Sequence, residues 1–460
     1  MTRSLYAVNP LDGRHSTVTS RLSEYGSEAA LIRTRVRVEI EYLVALSELE
    51  NTDLELDNTD KTELRELYTD FGTADAKIVK KIETEGHEQF EATNHDVKAV
   101  EYFIRCETPE RLQFVVPWIH LGLTSEDVNN LSHRLLTRDA VEEVVLPDLE
   151  AIRERLSDLA MEFQDLPMLG RTHGQPATPT TFGKEMAVYV SRLDRSIDRI
   201  EGAVDGLAGK INGATGTYSA QLQAYPSVDW REFGREFVSD FGFEYVEATT
   251  QVNPCDDLAE LLDALRGTNN ILLDLVVDSW QYISDEYLGQ EPAQGAVGSS
   301  TMPHKINPID FEIAEGNLSK ANSDFQHITN EITNSRYQRD LSDAPAKRHI
   351  AAALASSLVG YERTKSGLED VSPNVEIMRR ELAENPVVLA EAIQTVLRRA
   401  GHRDAYERVR DLTRGEEVPT ADIHALIDDL DIDESVRNEL SDLSPEEYTG
   451  LADTIPGEVR

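Results

Sequence analysis

Cysteine is close to absent from this chain: Cys106 and Cys255 are the only two in 460 residues. That excludes a disulfide framework, and neither cysteine stands at metal-ligand spacing. The expectation is a chain without a metal, suited to a reducing cytoplasm. Basic charge is also scarce. Against 85 Asp and Glu stand 45 Lys and Arg, only 11 of them Lys, for a formal charge of −40. Nucleic acid and anionic membranes both need a basic face, so neither is expected as a partner. No apolar run approaches the ~18 to 20 residues that span a bilayer. The longest, Ile350 to Tyr361, stops short and carries Ser356 and Ser357. The first ten residues, Met1 to Pro10, lack the apolar core of a secretory signal. A densely acidic, lysine-poor surface suits concentrated salt, where charge repulsion is screened, and the expectation is a halophilic host.

What is present is enough for a large core: 40% hydrophobic and 7% aromatic residues argue against global disorder. The length predicts two or three packed units. Helical periodicity dominates, and the alternation of strands is hardly visible. From Asp256 to Leu288, Leu258, Leu261, Leu262, Leu265, Leu272, Leu275, Val276 and Ile283 recur at three- and four-residue spacing. That helix would reach on the order of 50 Å at ~1.5 Å per residue. Phe182 to Ile211, Asp310 to Thr333 and Ser125 to Arg155, interrupted near Pro147, read the same way. The fold class is all-α, an elongated bundle of long helices. Three segments are predicted: shorter helices over 1–112, the long-helix region over 113–362, and a small helical domain over 363–460. In the last, Ser444-Pro445-Glu446-Glu447 is predicted to open a helix with a capping box.

Several polar clusters interrupt this background. The richest runs from Gly298 through Ser299, Ser300, Thr301, Met302, Pro303, His304, Lys305, Ile306 and Asn307 to Pro308. A loop this long between helices is uncommon without a function. Its small residues can turn backbone N–H groups toward an anion, and Lys305 adds positive charge. The plainer alternative is a capped turn with surface serines. Arg171-Thr172-His173-Gly174-Gln175-Pro176-Ala177-Thr178-Pro179 forms a second cluster, in which two prolines keep the chain out of helix until Thr180 and present His173 from a turn. Histidine can give or take a proton at neutral pH, although from the residue type alone a histidine bonded to a backbone carbonyl is the better explanation. Asn94-His95-Asp96 reads first as a helix start capped by Asn94, and Thr124-Ser125-Glu126-Asp127 as a relaxed capping box. No dinucleotide or phosphate-binding glycine loop is present, since Gly213-Ala214-Thr215-Gly216 is too loose. Nothing around Ser299 forms the nucleophile elbow of a hydrolase. The chemistry left is cofactor-free acid–base work on an anionic substrate, with Arg14, Lys98, Lys305, Arg336, Arg339 and Arg348 as the candidate cations.

The motif Gly-Ser-Ser-x-Met-Pro-x-Lys-x-Asn-Pro at 298–308 resembles the shared signature of the fumarase/aspartase superfamily, whose members cleave C–N or C–O bonds and release fumarate. His304 within it, the cluster at 171–179 and Asn-His-Asp-Val-Lys-Ala-Val-Glu-Tyr at 94–102 resemble the adenylosuccinate lyase branch. The likeness runs from Val8 to Gly415. The resemblance implies an all-α homotetramer with a common helical core and active sites assembled from three chains. It implies β-elimination of fumarate from adenylosuccinate, giving AMP, and from the succinyl-carboxamide imidazole ribotide (SAICAR), giving AICAR, in purine biosynthesis. By the same resemblance Ser299 is the general base, His173 the general acid and Glu312 the carboxylate that orients it. Lys305 and Asn307 hold the substrate carboxylate. Arg14, His15, Asn94, His95, Asp96, Thr124, Ser125, Gln251, Ser300, Arg339 and Arg348 line the substrate site, with His95 also near the acid.

Four places depart from the branch. His15 stands where tyrosine is usual, Ile313 and Ala344 replace polar neighbours, and Pro254-Cys255-Asp256-Asp257 differs from a histidine-bearing version. The alternatives are a sister lyase acting on argininosuccinate, aspartate or malate, or an idle structural relative. The acidic surface carries its own prediction. Dialysis from concentrated potassium chloride into low salt should loosen the fold or the oligomer, and circular dichroism and sizing unchanged by dialysis would contradict it.

Overall fold

The structure is a computed structural model that describes residues 5–290, 302, 305–413 and 420–459. It is helical through most of that length. Ten helices carry the argument: α1 (Glu28–Leu46), α2 (Asp96–Glu107), α3 (Ser125–Ala140), α4 (Leu146–Glu162) and α5 (Phe182–Asp205) in the first half. In the second half are α6 (Asp256–Ser284), α7 (Ile309–Ile332), α8 (Asp343–Lys347), α9 (Ile350–Glu369) and α10 (Val375–Glu384). The long periodic stretches of the sequence are these helices, and of the stripe on α6 all but the half-buried Ile283 are buried. The expected break near Pro147 takes a specific form. The helix widens into a π turn over Val141–Val145, where the Leu146 N–H reaches back to the Val141 carbonyl. Proline has no N–H to donate and its ring crowds the carbonyl four residues before it, so the wider turn relieves both problems.

By contacts the chain divides into two compact units. The first comprises Met1–Asp148, Ser196–Asn270 and Gly316–Glu362; the second comprises Leu149–Arg195, Ile271–Glu315 and Arg363–Arg460. In the first unit Ser27 caps α1 by accepting from the Ala30 N–H at 3.1 Å. The helix buries Val36, Val38, Ile40, Leu43 and Leu46. Arg35 and Glu39 are buried with them, which is unusual for charges and requires partners. α3 repeats the pattern. Arg134 is fully buried and makes a bidentate bond to Asp257 at 2.7 and 2.8 Å. Asp127 pairs with the equally buried Lys210 at 2.8 Å, while its second oxygen accepts the Thr124 N–H at 2.9 Å.

The second unit packs Leu149, Ile152, Leu156, Val190, Leu193, Leu272, Leu275, Val276 and Phe311. Tyr189 on α5 donates to Asp278 on α6 at 2.7 Å, and Arg153 on α4 bonds Asp194 at 2.7 Å. Toward the C-terminus Leu389, Ile393, Leu397, Val409, Ile423, Ile427 and Leu440 form a separate small cluster.

Two expectations need correction. The 171–179 cluster belongs to a β-hairpin, with β1 (Pro167–Thr172) antiparallel to β2 (Gln175–Thr181) and helix resuming only at Phe182. His173 and Gly174 form its two-residue turn with φ of 53° and 73°, the conformation that matches strand twist. A bulge lies between Met168 and Gly170, and Gly170 is required there because a Cβ would stand 2.3 Å from the Thr178 carbonyl oxygen. The second correction concerns Ser444. Its hydroxyl does accept the Glu447 N–H at 3.3 Å, yet residues 445–454 form successive turns instead of a helix. Gly450 takes a φ of 60°, which no right-handed helix accommodates.

The buried Asp127–Lys210 pair has a measurable consequence. Asp127→Asn leaves the lysine charge unmatched and should cost ~3 to 5 kcal/mol, seen as a fall in the urea midpoint. Asp127→Asn with Lys210→Met should recover most of that loss. Equal instability of the single and double variants would show the pair is not the cause.

Candidate active site

α2 and α3 start side by side, and their first turns carry the expected polar residues. The cap of α2 is His95, not Asn94: the His95 Nδ1 accepts the Lys98 N–H at 3.2 Å. Asn94 instead occupies the left-handed region with φ 47°, which asparagine tolerates better than most residues. With Nδ1 accepting, the ring proton sits on Nε2, which lies 3.5 Å from the Ser125 hydroxyl oxygen. His95 and Ser125, thirty residues apart, are therefore neighbours. Thr124 begins α3, its N–H fixed by Asp127 as the relaxed capping box anticipated.

Asp96 is the hub between two arginines. Its Oδ2 accepts from Arg35 at 2.9 Å and from Arg348 at 3.0 Å, and its Oδ1 accepts the Val97 N–H at 2.9 Å. Burial would raise this carboxyl, but the Arg35 and Arg348 charges and the backbone donor hold it below the usual carboxylate range. Glu126 forms a second hub. It is buried, and Lys347 contacts Oε1 at 2.9 Å while Arg339 contacts Oε2 at 2.6 Å. Burial again opposes ionisation, yet the charges of Lys347 and Arg339 bring the carboxyl down to about 2. His133, about two turns further along α3, is pushed to about 3 by burial and by Lys347 and Arg35, so it is neutral at physiological pH. It lines a cavity of about 240 Å³ with Tyr25, Ser27, Lys347 and Arg348.

Arg14 and His15 lie in the turn before the short helix Ser16–Thr19, Arg14 exposed and His15 half-buried. A cleft of about 800 Å³ is lined by Asp12 and Ser16, on either side of that pair, together with Arg348. Gln251 donates to the Ala214 carbonyl at 3.0 Å. Two other candidate cations are turned elsewhere, Lys98 to Glu101 at 2.7 Å and Arg336 toward Asp340 at 3.8 Å.

The remaining expected residues belong to the second unit. His173 is exposed at the hairpin tip. Its strand is held by Arg171, which bonds Glu381 on α10, a carboxylate that also accepts from the Tyr287 hydroxyl. Glu312, in the first turn of α7, accepts from the Trp280 indole N–H at 3.3 Å. Among the described residues no hydrogen bond joins it to His173. Lys305 is exposed, and Asn307 is half-buried where its carbonyl accepts the Ile309 N–H at 2.8 Å. Ser299, Ser300 and His304 lie outside the described residues.

Sequence reading missed Arg35, Glu126 as a buried carboxylate, and Lys347. The available signal was a charge on the core-facing stripe of a helix: Arg35 stands between Ile32 and Val36. Lys347 is one of only 11 lysines.

Comparisons with known proteins bear on this arrangement. A lyase family model matches residues 13–322, and one described as adenylosuccinate lyase C-terminal matches 335–449. The fold is that of a fumarate lyase from Mesorhizobium sp. BNC1, with a TM-score of 0.75 at 18% identity over 96% of this chain and 97% of that one. A 3-carboxy-cis,cis-muconate lactonizing enzyme from Pseudomonas putida gives 0.72 at 20% identity over 96% of both chains. Fold and first model together define the class, lyases of the fumarase type. Within that class, adenylosuccinate lyase of Legionella pneumophila (strain Corby) is 42% identical over 98% of this chain and 97% of its own. The enzyme of that name from Dictyostelium discoideum is 42% identical over 97% of both chains, and that of Escherichia coli (strain K12) 41% over 99% of both. The chain belongs to the adenylosuccinate lyase family. No helix among the described residues is long and apolar enough to cross a membrane.

The depressed Glu126 carboxyl predicts a direction with pH. Its folded value of about 2 lies below the ordinary glutamate value of ~4.3, so its contribution to stability stands in full above that value and is lost as pH falls through 2. The difference in urea midpoint between wild type and Glu126→Gln should be flat from pH 5 to 7 and shrink toward pH 3. A difference constant across that whole range would contradict the assignment.

Proposed function

We propose that the chain catalyses β-elimination of fumarate from adenylosuccinate, leaving AMP, and from SAICAR, leaving AICAR. The observation that carries this reading is the full-length identity of about 40% to adenylosuccinate lyases of three organisms. The geometry of the first unit supports it. His95, Ser125, Asp96, Arg348 and Arg339 gather at the starts of α2 and α3, which suits an anionic substrate.

In the proposed reaction Ser299 removes the proton from the carbon next to the departing nitrogen's carbon. The electron pair left behind is delocalised onto the adjacent carboxylate, which Lys305 and Asn307 hold. The pair then forms the double bond of fumarate as the C–N bond breaks, and His173 protonates the leaving nitrogen. A serine is a weak base with an unperturbed hydroxyl, so Lys305 and loop N–H groups must stabilise its alkoxide. Glu312 orients His173, the two meeting across subunits in this reading. Homotetramers with sites built from three chains belong to the same reading. So do a three-part division at 112/113 and 362/363, a cytoplasmic setting and a reaction without cofactor. The exposed tip of the hairpin, clamped close to the turn through Arg171, suits a histidine presented to another chain.

The test is direct. Protein in concentrated potassium chloride is mixed with adenylosuccinate, and AMP and fumarate are assayed separately. Equal formation of both is expected. Inactivity toward it alongside turnover of argininosuccinate, aspartate or malate would move the reading to a sister lyase. Ser299→Ala and His173→Ala should each lower turnover by about 100-fold or more. Mixing the two inactive variants should restore some activity through hybrid tetramers. Near-normal turnover in either removes that residue's role, and no recovery after confirmed subunit exchange argues against shared sites.

A further inference from the structure

Between α7 and α8 the chain crosses residues 333–342 outside regular helix, and only Arg339 and Asp340 there are even half-buried. Asp340 is occupied within the segment, accepting the Arg336 and Ser342 N–H groups at 2.8 and 2.7 Å. Arg339 is therefore the side chain that ties this exposed stretch to α3, through its 2.6 Å bond to Glu126 Oε2. The other oxygen of Glu126 receives Lys347 at 2.9 Å, and Lys347 also holds Asp343 at 2.7 Å. The side chains of Lys347 and Glu126 are each 2% exposed, against 20% for Arg339. Of the three, the arginine is the most open to a ligand.

This division of one carboxylate between two cations has a geometric consequence. A guanidinium left alone with a carboxylate takes both oxygens in a fork. Lys347 prevents that by occupying Oε1, so Arg339 keeps a single-oxygen contact and its remaining N–H groups can face outward. We infer that Lys347 is a positioning residue, acting through Glu126 to set the direction of Arg339 and thereby the affinity for substrate. This rests on the reading of Arg339 as a substrate contact. Without Lys347, Glu126 draws Arg339 inward into the fork. An interaction equal in ground and transition states is lost, which raises KM and leaves kcat nearly unchanged.

The test is a double-mutant cycle on adenylosuccinate cleavage, with helicity and thermal midpoint recorded for each protein. Lys347→Met should raise KM about tenfold and change kcat by less than about threefold, whereas Lys347→Arg should restore most of the affinity. In an Arg339→Gln background, Lys347→Met should change KM by less than about twofold, because the residue it acts on is gone. If Lys347→Met fails to fold, Lys347→Met with Asp343→Leu removes the carboxylate it would orphan and enters the same cycle. An equal rise in KM in both backgrounds, or a loss confined to kcat, overturns the inference and leaves the proposed activity standing. Normal KM in Arg339→Gln overturns both the inference and that residue's role. A wild type that does not cleave adenylosuccinate fails the proposed function itself, and the inference with it.

Discussion

The first unit is organised by carboxylates buried where helices begin. Glu126 and Asp127 are consecutive, both nearly inaccessible, and both in the first turn of α3. The partial positive charge at a helix start favours them, but it cannot offset full burial of two negative charges. Cations must be brought to them, and they come from distant stretches of chain: Lys210 to Asp127, Lys347 and Arg339 to Glu126. Because each pair is short and dry, removing a member leaves a buried charge unmatched. The positions of α8 and of the segment before it thus depend on one residue of α3, Glu126.

The same arrangement delivers polar groups to the surface. Lys347 turns inward to Glu126 while its neighbour Arg348 reaches Asp96 in the first turn of α2. Asp96 in turn holds the buried Arg35 of α1. Two helix starts, the middle of α1 and the 339–348 segment are thereby joined through charge pairs. The outward-facing members, His95, Ser125, Arg339 and Arg348, are those that the family resemblance assigns to substrate. Structural and candidate functional charges are therefore parts of one network.

The second unit solves a different problem, which is to hold a histidine away from the packed helices. A two-residue turn supplies the tip, and its left-handed residues are His173 and Gly174. Rigidity comes from the bulge at Gly170 and from the Arg171–Glu381 contact with α10. The strand pairing was illegible in the sequence because Pro176 and Pro179 discourage a strand assignment and β2 is mostly polar. The hairpin is short and two-stranded, so no long alternation of apolar residues is needed to form it.

The sequence alone determined the long helices, since the apolar stripes on α5, α6 and α7 face a core that any packing must cover. It also singled out the candidate clusters, because 298–308 and 171–179 contain residues that helices do not need. It could not determine which charges are buried. The exchange of Asn94 for His95 as cap of α2 turned on a single left-handed residue, a matter of local backbone geometry. Arg35, Glu126 and Lys347 read as ordinary surface charges until folding surrounds them, and partners up to 221 residues apart meet only when α3 and α8 pack. Ion pairing in a dry interior is set by proximity, which one-dimensional spacing does not encode. For this protein the helices were legible in the chain, and the charge network that ties them to the candidate site was decided by the tertiary structure.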